Sequence, residues 1–214
     1  MSDTSLITLG SVFSNTLSFN RLSSKWGIDF NTLKNENKAL LTYGYETREN
    51  IQSALKLRWN VSRTLLTDIS FKKGKKFLLS THSNFDNRNY TIYSSSLAPG
   101  ITYTSGTVFR LAAYYEYAEK ENRIGSEEKV SSNSITTEIK YNVLQNTSVQ
   151  SGFTFNNIQF ESKTGVPNFN STSSYIILDG LSPGKNFLWN LDLTKRLSDF
   201  LELNIRYEGR KPGE

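Results

Sequence analysis

The chain has 214 residues and a formal net charge of +5, and it lacks cysteine, which excludes a disulfide framework and any thiolate metal site. Its mean hydropathy is −0.47, and no stretch approaches the roughly 18 consecutive apolar residues of a membrane helix, so a helical span is excluded while a β-barrel is not. The pI is about 9.3, but Lys and Arg are interleaved with Asp and Glu along the chain, a pattern that does not point to nucleic acid.

From the amino terminus, "MSDTSLITLG" has no basic stretch followed by an apolar one, so it does not read as a signal peptide. Period-two alternation then dominates. Trp26, Ile28 and Phe30 oppose Asp29 after a short break at "NRLSS" (20–24), and "LKNENK" near Leu33 reads as a longer polar connection. "KALLTYGYETRENIQSALKLRW" keeps one parity from Leu41 through Tyr43 and Tyr45 to Trp59, so it is one very long strand or two strands broken near Arg48. Leu55, Leu57 and Trp59 there oppose Lys56 and Arg58. "NVSRT" (60–64) is the next short break, and "KKGKK" (72–76) reads as a solvated turn or loop.

"STHSNFDNRN" from Ser80 is a long polar connection, and "TSG" (104–106) is a short one. Phe109, Leu111, Ala113, Tyr115 and Tyr117 alternate with Arg110 and Glu116. Beyond the polar "EKENRIGSEEKVSS" from Glu119, Ile135, Ile139, Tyr141 and Val143 alternate with Glu138 and Lys140. "VLQN" (143–146) is short. In "FTFNNIQF" the parity slips between Phe155 and Ile158, which predicts a bulge at Asn156 and Asn157. "ESKTGVPNFN" from Glu161 is long, and Gly180, Pro183 and Gly184 in "YIILDGLSPGKNFLW" mark a bulge or turn in an otherwise extended stretch. The pattern then resumes in Phe187, Trp189, Leu191 and Leu193. After "LSD" (197–199) it continues in Leu201, Leu203, Ile205 and Tyr207, opposed by Glu202, Asn204, Arg206 and Glu208.

Short and long connections thus alternate, as in the hairpins of an outer-membrane barrel with tight turns at one rim and longer loops at the other. The expected fold is all-β: an antiparallel up-and-down meander of about ten long strands forming an outer-membrane-type β-barrel or part of one, in a single domain over residues 1–214. The near-repeat of "RWNVSRTLLTDISF" (58–71) in "YNVLQNTSVQSGFTF" (141–155) fits this plan. In each copy an aromatic stands just before a tight turn and the next alternating strand follows. Phe19, Trp59, Tyr103 and Tyr141 all hold that place, the depth at which aromatic rings line a membrane interface. Leu111, Trp189, Leu203 and Ile205 are expected to face lipid. Arg110, Glu116, Glu138, Lys140, Glu202 and Arg206 are expected to form a polar network inside the barrel.

The carboxy-terminal third carries "GLSPGKN" (180–186), "WNL" (189–191) and "YEGRKPG" (207–213). In these motifs it resembles the end of large, mostly uncharacterised outer-membrane or surface proteins of Bacteroidota. "NRNY" (87–90) and "KYN" (140–142) extend the resemblance. It implies a carboxy-terminal fragment of a longer polypeptide, lacking one final strand that the family adds after "YEGRKPG". It also implies the outer membrane of a Gram-negative bacterium.

Little in the sequence carries chemistry. The lone His82 lies in a polar segment without a second imidazole ligand or a nucleophile elbow. Gly100, Gly106 and Gly184 are isolated turn glycines rather than a phosphate loop. Carboxylate pairs such as Glu138 with Glu116, or Glu202 with Asp192, are interleaved with Arg and Lys and read as ion-pair partners rather than glycosidase acids. Four N-x-S/T sequences, at Asn60, Asn89, Asn146 and Asn170, are at the level chance produces in an Asn- and Ser-rich chain. The expectation is a non-enzymatic barrel segment acting as anchor, pore or scaffold, without cofactor or metal. Its partners are outer-membrane lipid, upstream domains of the same polypeptide, or other outer-membrane proteins, and not nucleic acid. The competing reading is a soluble all-β barrel that binds a ligand inside, or an adhesin-like module. That reading needs the apolar face inward.

Overall fold

The computed structural model describes residues 8–41, 44–125, 127–143, 146–162 and 171–212. Ten strands form one antiparallel sheet in strict sequence order. They are β1 (Thr8–Phe19), β2 (Trp26–Leu41), β3 (Gly44–Asn60), β4 (Leu65–Ser80), β5 (Tyr90–Ser105), β6 (Phe109–Asn122), β7 (Lys129–Val143), β8 (Thr147–Glu161), β9 (Gly184–Arg196) and β10 (Glu202–Lys211). A 3₁₀ turn (Ser83–Arg88) joins β4 to β5, and one short helix, α1 (Thr172–Ile177), lies between β8 and β9.

The shortest connection, 42–43, lies at one rim, and five others, 20–25, 61–64, 106–108, 144–146 and 197–201, lie at the opposite, tight-turn rim. There the strand ends meet in register, with Trp26 opposite Trp59, Leu65 opposite Tyr103 and Phe109 opposite Tyr141. The turns close on local chemistry. Asn20 takes a positive φ of 57° and its side-chain amide donates to the Trp26 carbonyl at 3.0 Å. Gly106, at φ 56°, supplies the left-handed residue of the β5–β6 turn.

Several sequence expectations give way here. "LKNENK" is not a connection: residues 33–38 are paired throughout with β3, and β2 runs on to Leu41. "KKGKK" is likewise the middle of β4, paired on both sides. The break between β2 and β3 falls at 42–43 rather than near Arg48, so Tyr43 lies outside the described residues. "EKENRIGSEEKVSS" supplies the end of β6 and the start of β7, which leaves only 123–128 between them. No bulge forms at Asn156 and Asn157, where the ladder to β7 is unbroken from Phe155 to Ile158. "YIILDG" is helix and turn rather than interrupted strand. Residues 144–145 of "VLQN", 163–170 of the β8–β9 connection, and Gly213 lie outside the described residues.

A common cause links the polar runs misread as loops. Hydrogen bonding of the backbone makes a strand whichever face its side chains present, and these strands continue past the level where their outward face is apolar. The sheet is open: among the described residues no ladder joins β1 to β10. Both faces of β1 are exposed over its whole length, and β10 is exposed at all but one position.

Candidate functional site

Register assigns every strand residue to one of two faces. The outward face near the tight turns is apolar. On β6 it reads Phe109, Leu111, Ala113, Tyr115 and Tyr117, and cross-strand neighbours continue it through Ile101, Tyr103, Ile135, Ile139 and Tyr141. Eight residue steps at about 3.4 Å, tilted by ~40°, give a belt about 21 Å high, close to the ~25 Å apolar band of a membrane barrel. The four turn-proximal aromatics all lie on this face at the tight-turn rim. Phe19 packs on Trp26 at 5.7 Å and Tyr103 on Phe109 at 6.3 Å, so Trp26 and Phe109 join the same row. Leu111, Leu203 and Ile205 lie in the belt with 38–50% of their surface exposed. Trp189 lies there too, its indole covering Gly209 of the edge strand, where any Cβ would meet the ring at 2.4 Å.

Above the belt the outward face turns charged. Glu49 sits between Lys75 (2.9 Å) and Lys34 (3.4 Å), and Lys34 also pairs with Glu36 (3.1 Å). Glu121 and Lys129 continue this collar at 3.7 Å.

The inward face inverts the same pattern. Near the tight turns it is polar. Lys56 pairs with Asp68 at 3.1 Å, Arg58 donates to the Arg21 and Ser23 carbonyls, and the Tyr114 ring lies over Gly100. Of the six residues expected to form an inner network, Arg110, Glu138 and Lys140 come together around a small recess with Gln150. Arg206 pairs instead with Asp192 at 2.6 Å and, more loosely, with Glu208. Glu202 lies opposite Arg196 and accepts from Asn204, while Glu116 lies opposite Ser134 and away from Glu138. Neither carboxylate pair considered from sequence is brought together as cross-strand neighbours.

Near the loops the inward face is apolar, and α1 folds onto it. Leu78, Tyr90, Ile92, Val130 and Ile158 pack with Ile177 and Leu178, which are 0% and 1% exposed. This explains the parity slip at Ile158: the strand does not bulge, but its apolar side chains change face. Two polar fastenings hold the helix and its terminal turn, and a third contact props one of them. Lys120 pairs with Asp179, Ser174 donates to the buried Glu128 carboxylate, and Asn122 contacts the same carboxylate at 3.5 Å. Asp179 and Gly180, at φ 52° and 73°, end the helix, and the Gly180 N–H donates to the Tyr175 carbonyl.

Below α1 lies a polar chamber of about 470 Å³ that reaches from β3 to β8. Sequence reading missed it because Lys72 and Lys76, which line it with Gly74 between them, belong to the run taken for a loop.

No protein-family model matches the sequence, and the curated proteins contain no match. Two outer-membrane proteins are among the solved structures to which the chain is similar. One is OmpT, an outer membrane protein of Vibrio cholerae folded in vitro and seen in a trimer form. Its TM-score is 0.53 at 9% identity, over 96% of this chain and 89% of that chain. The other is the outer membrane transporter YddB from Escherichia coli, with TM-score 0.49 at 11% identity over 95% of this chain. The chain spans about a third (34%) of that transporter. The fold is therefore that of an outer-membrane-type up-and-down barrel, or part of its wall.

Proposed function

We propose that this chain forms part of the wall of a barrel in the outer membrane of a Gram-negative bacterium, serving as anchor and scaffold without catalytic work of its own. One observation carries the reading. The outward face is apolar and rimmed by aromatics over a height matched to the membrane, and becomes charged above it. A soluble ligand-binding barrel needs the opposite arrangement, because its aromatic face must point inward.

The open edges extend the proposal. A lipid-exposed edge leaves a row of backbone groups without hydrogen bonds, each costing several kcal/mol in hydrocarbon. The edges of β1 and β10 therefore need strand partners inside the membrane, and a further antiparallel strand laid against either one would supply them.

Refolding with and without detergent micelles tests the membrane reading. Folding only in micelles, read by β-sheet circular dichroism and a band shift on boiling, is the expected result. A monomer that folds without micelles sinks it.

A further inference from the structure

Resting on the barrel reading, we infer that the chamber beneath α1 is a binding site for a small acidic, polyhydroxylated solute, of which a hexuronate is the simplest form. The β3–β5 side of the chamber is built around Gly74. Lys72 and Lys76 stand two residues before and after it on the same inward face, and Gln52 and Ser94 are its cross-strand neighbours. A side chain at position 74 would fill the recess, since its Cβ would lie 2.7 Å from the Ser94 hydroxyl. Among the described residues the two lysines share with Lys73 and Lys140 the lack of an ion pair that other lysines of the sheet have. Lys56, Lys75 and Lys120 each reach a carboxylate, whereas Lys72 and Lys76 reach none within 4 Å among the described residues. Two cations flanking an amide and a hydroxyl over a bare backbone suit a carboxylate ligand.

The facing side calls for hydrogen-bond donors. The Asn156 side-chain oxygen is shielded from solvent and has no hydrogen-bond partner, and an acceptor left so is costly. Glu116 lies on the same side, with Ser132 and Ser134 between. Carbohydrate hydroxyls supply the donors these acceptors lack. The chamber volume lies within the range of ligand pockets, roughly 300–1,000 Å³. α1 roofs the site through the Lys120–Asp179 pair, and Asp179 itself lines the chamber.

Calorimetric titration of the refolded protein with D-glucuronate and with D-glucose tests the inference. Glucuronate is expected to bind at least about tenfold more tightly than glucose. K72Q/K76Q should bring glucuronate down to the glucose level, and N156A should weaken both several-fold. The lysines are exposed, so K72Q/K76Q keeps the fold, which circular dichroism and the band shift verify. No glucuronate binding, equal binding of the two sugars, or an affinity unmoved by K72Q/K76Q overturns the site. In a preparation that folds only in micelles these outcomes leave the membrane reading standing. A preparation that folds without micelles removes that reading first.

Discussion

The turn half and the loop half of this sheet are built from the same ten strands with opposite polarity. Near the tight turns, Leu111 and Ile139 face out while Lys56 and Asp68 pair inside. Near the loops, Lys75 and Glu49 pair outside while Ile92, Val130 and Ile158 are buried inside beneath α1. The register does not shift at the change: the β4–β5 and β7–β8 ladders run straight through it, and the β5–β6 ladder skips only Ala98 and Pro99 before resuming in the same register. A β-strand specifies two faces but not which of them meets water. What surrounds each level decides that.

Four substitutions probe the contrast. Ile177→Ala removes a fully buried side chain and should cost about 2–5 kcal/mol of α1 docking. Hydrogen exchange should then rise across 172–181 while the β4–β8 ladders stay protected, and loss of the ladders as well would show that the two halves fold as one. Leu111→Arg places a charge in the belt and should cost about 2–4 kcal/mol in lipid vesicles, measured by denaturant unfolding. An unchanged midpoint would mean that Leu111 does not face hydrocarbon. Gly100→Val drives a side chain into the Tyr114 ring, only 2.5 Å from a Cβ, and should cost about 1–3 kcal/mol by overpacking. Combining it with Tyr114→Ala should restore much of the loss. Lys75→Leu, outward like Leu111 but in the charged half, removes one surface pair worth at most about 1 kcal/mol. A cost as large as that of Leu111→Arg would erase the distinction between the halves.

The turn half was readable in the sequence because its alternation is strict and its connections carry turn residues. Strand number, parity and the aromatics at Phe19, Trp59, Tyr103 and Tyr141 all followed from period two. The loop half was not, because there the outward positions are Lys and Glu and resemble solvated loops in "LKNENK" and "KKGKK". The signal that survives is the move of apolar residues to even positions at Leu78, Ile92, Val130 and Ile158. Read together, these four mark an inner surface awaiting something to cover it; taken singly, Ile158 resembled a bulge. α1 itself was hidden because "YIIL" favours strand locally, and only the receiving surface makes it helical. The inner ion pairs were legible as mixed charge, but not as partners, since Arg206 chooses Asp192 through a register that alternation cannot supply.

The indole of Trp189 lies across Gly209 on the last described strand, while Trp26 and Trp59 face each other at the tight-turn rim. With only three tryptophans in the chain, its intrinsic fluorescence samples two depths. Substitution of Trp26 and Trp59 by Phe leaves one emitter whose quenching by brominated acyl chains follows the arrival of β10 against β9. The protein thus carries its own optical clock for the docking of β10 on β9.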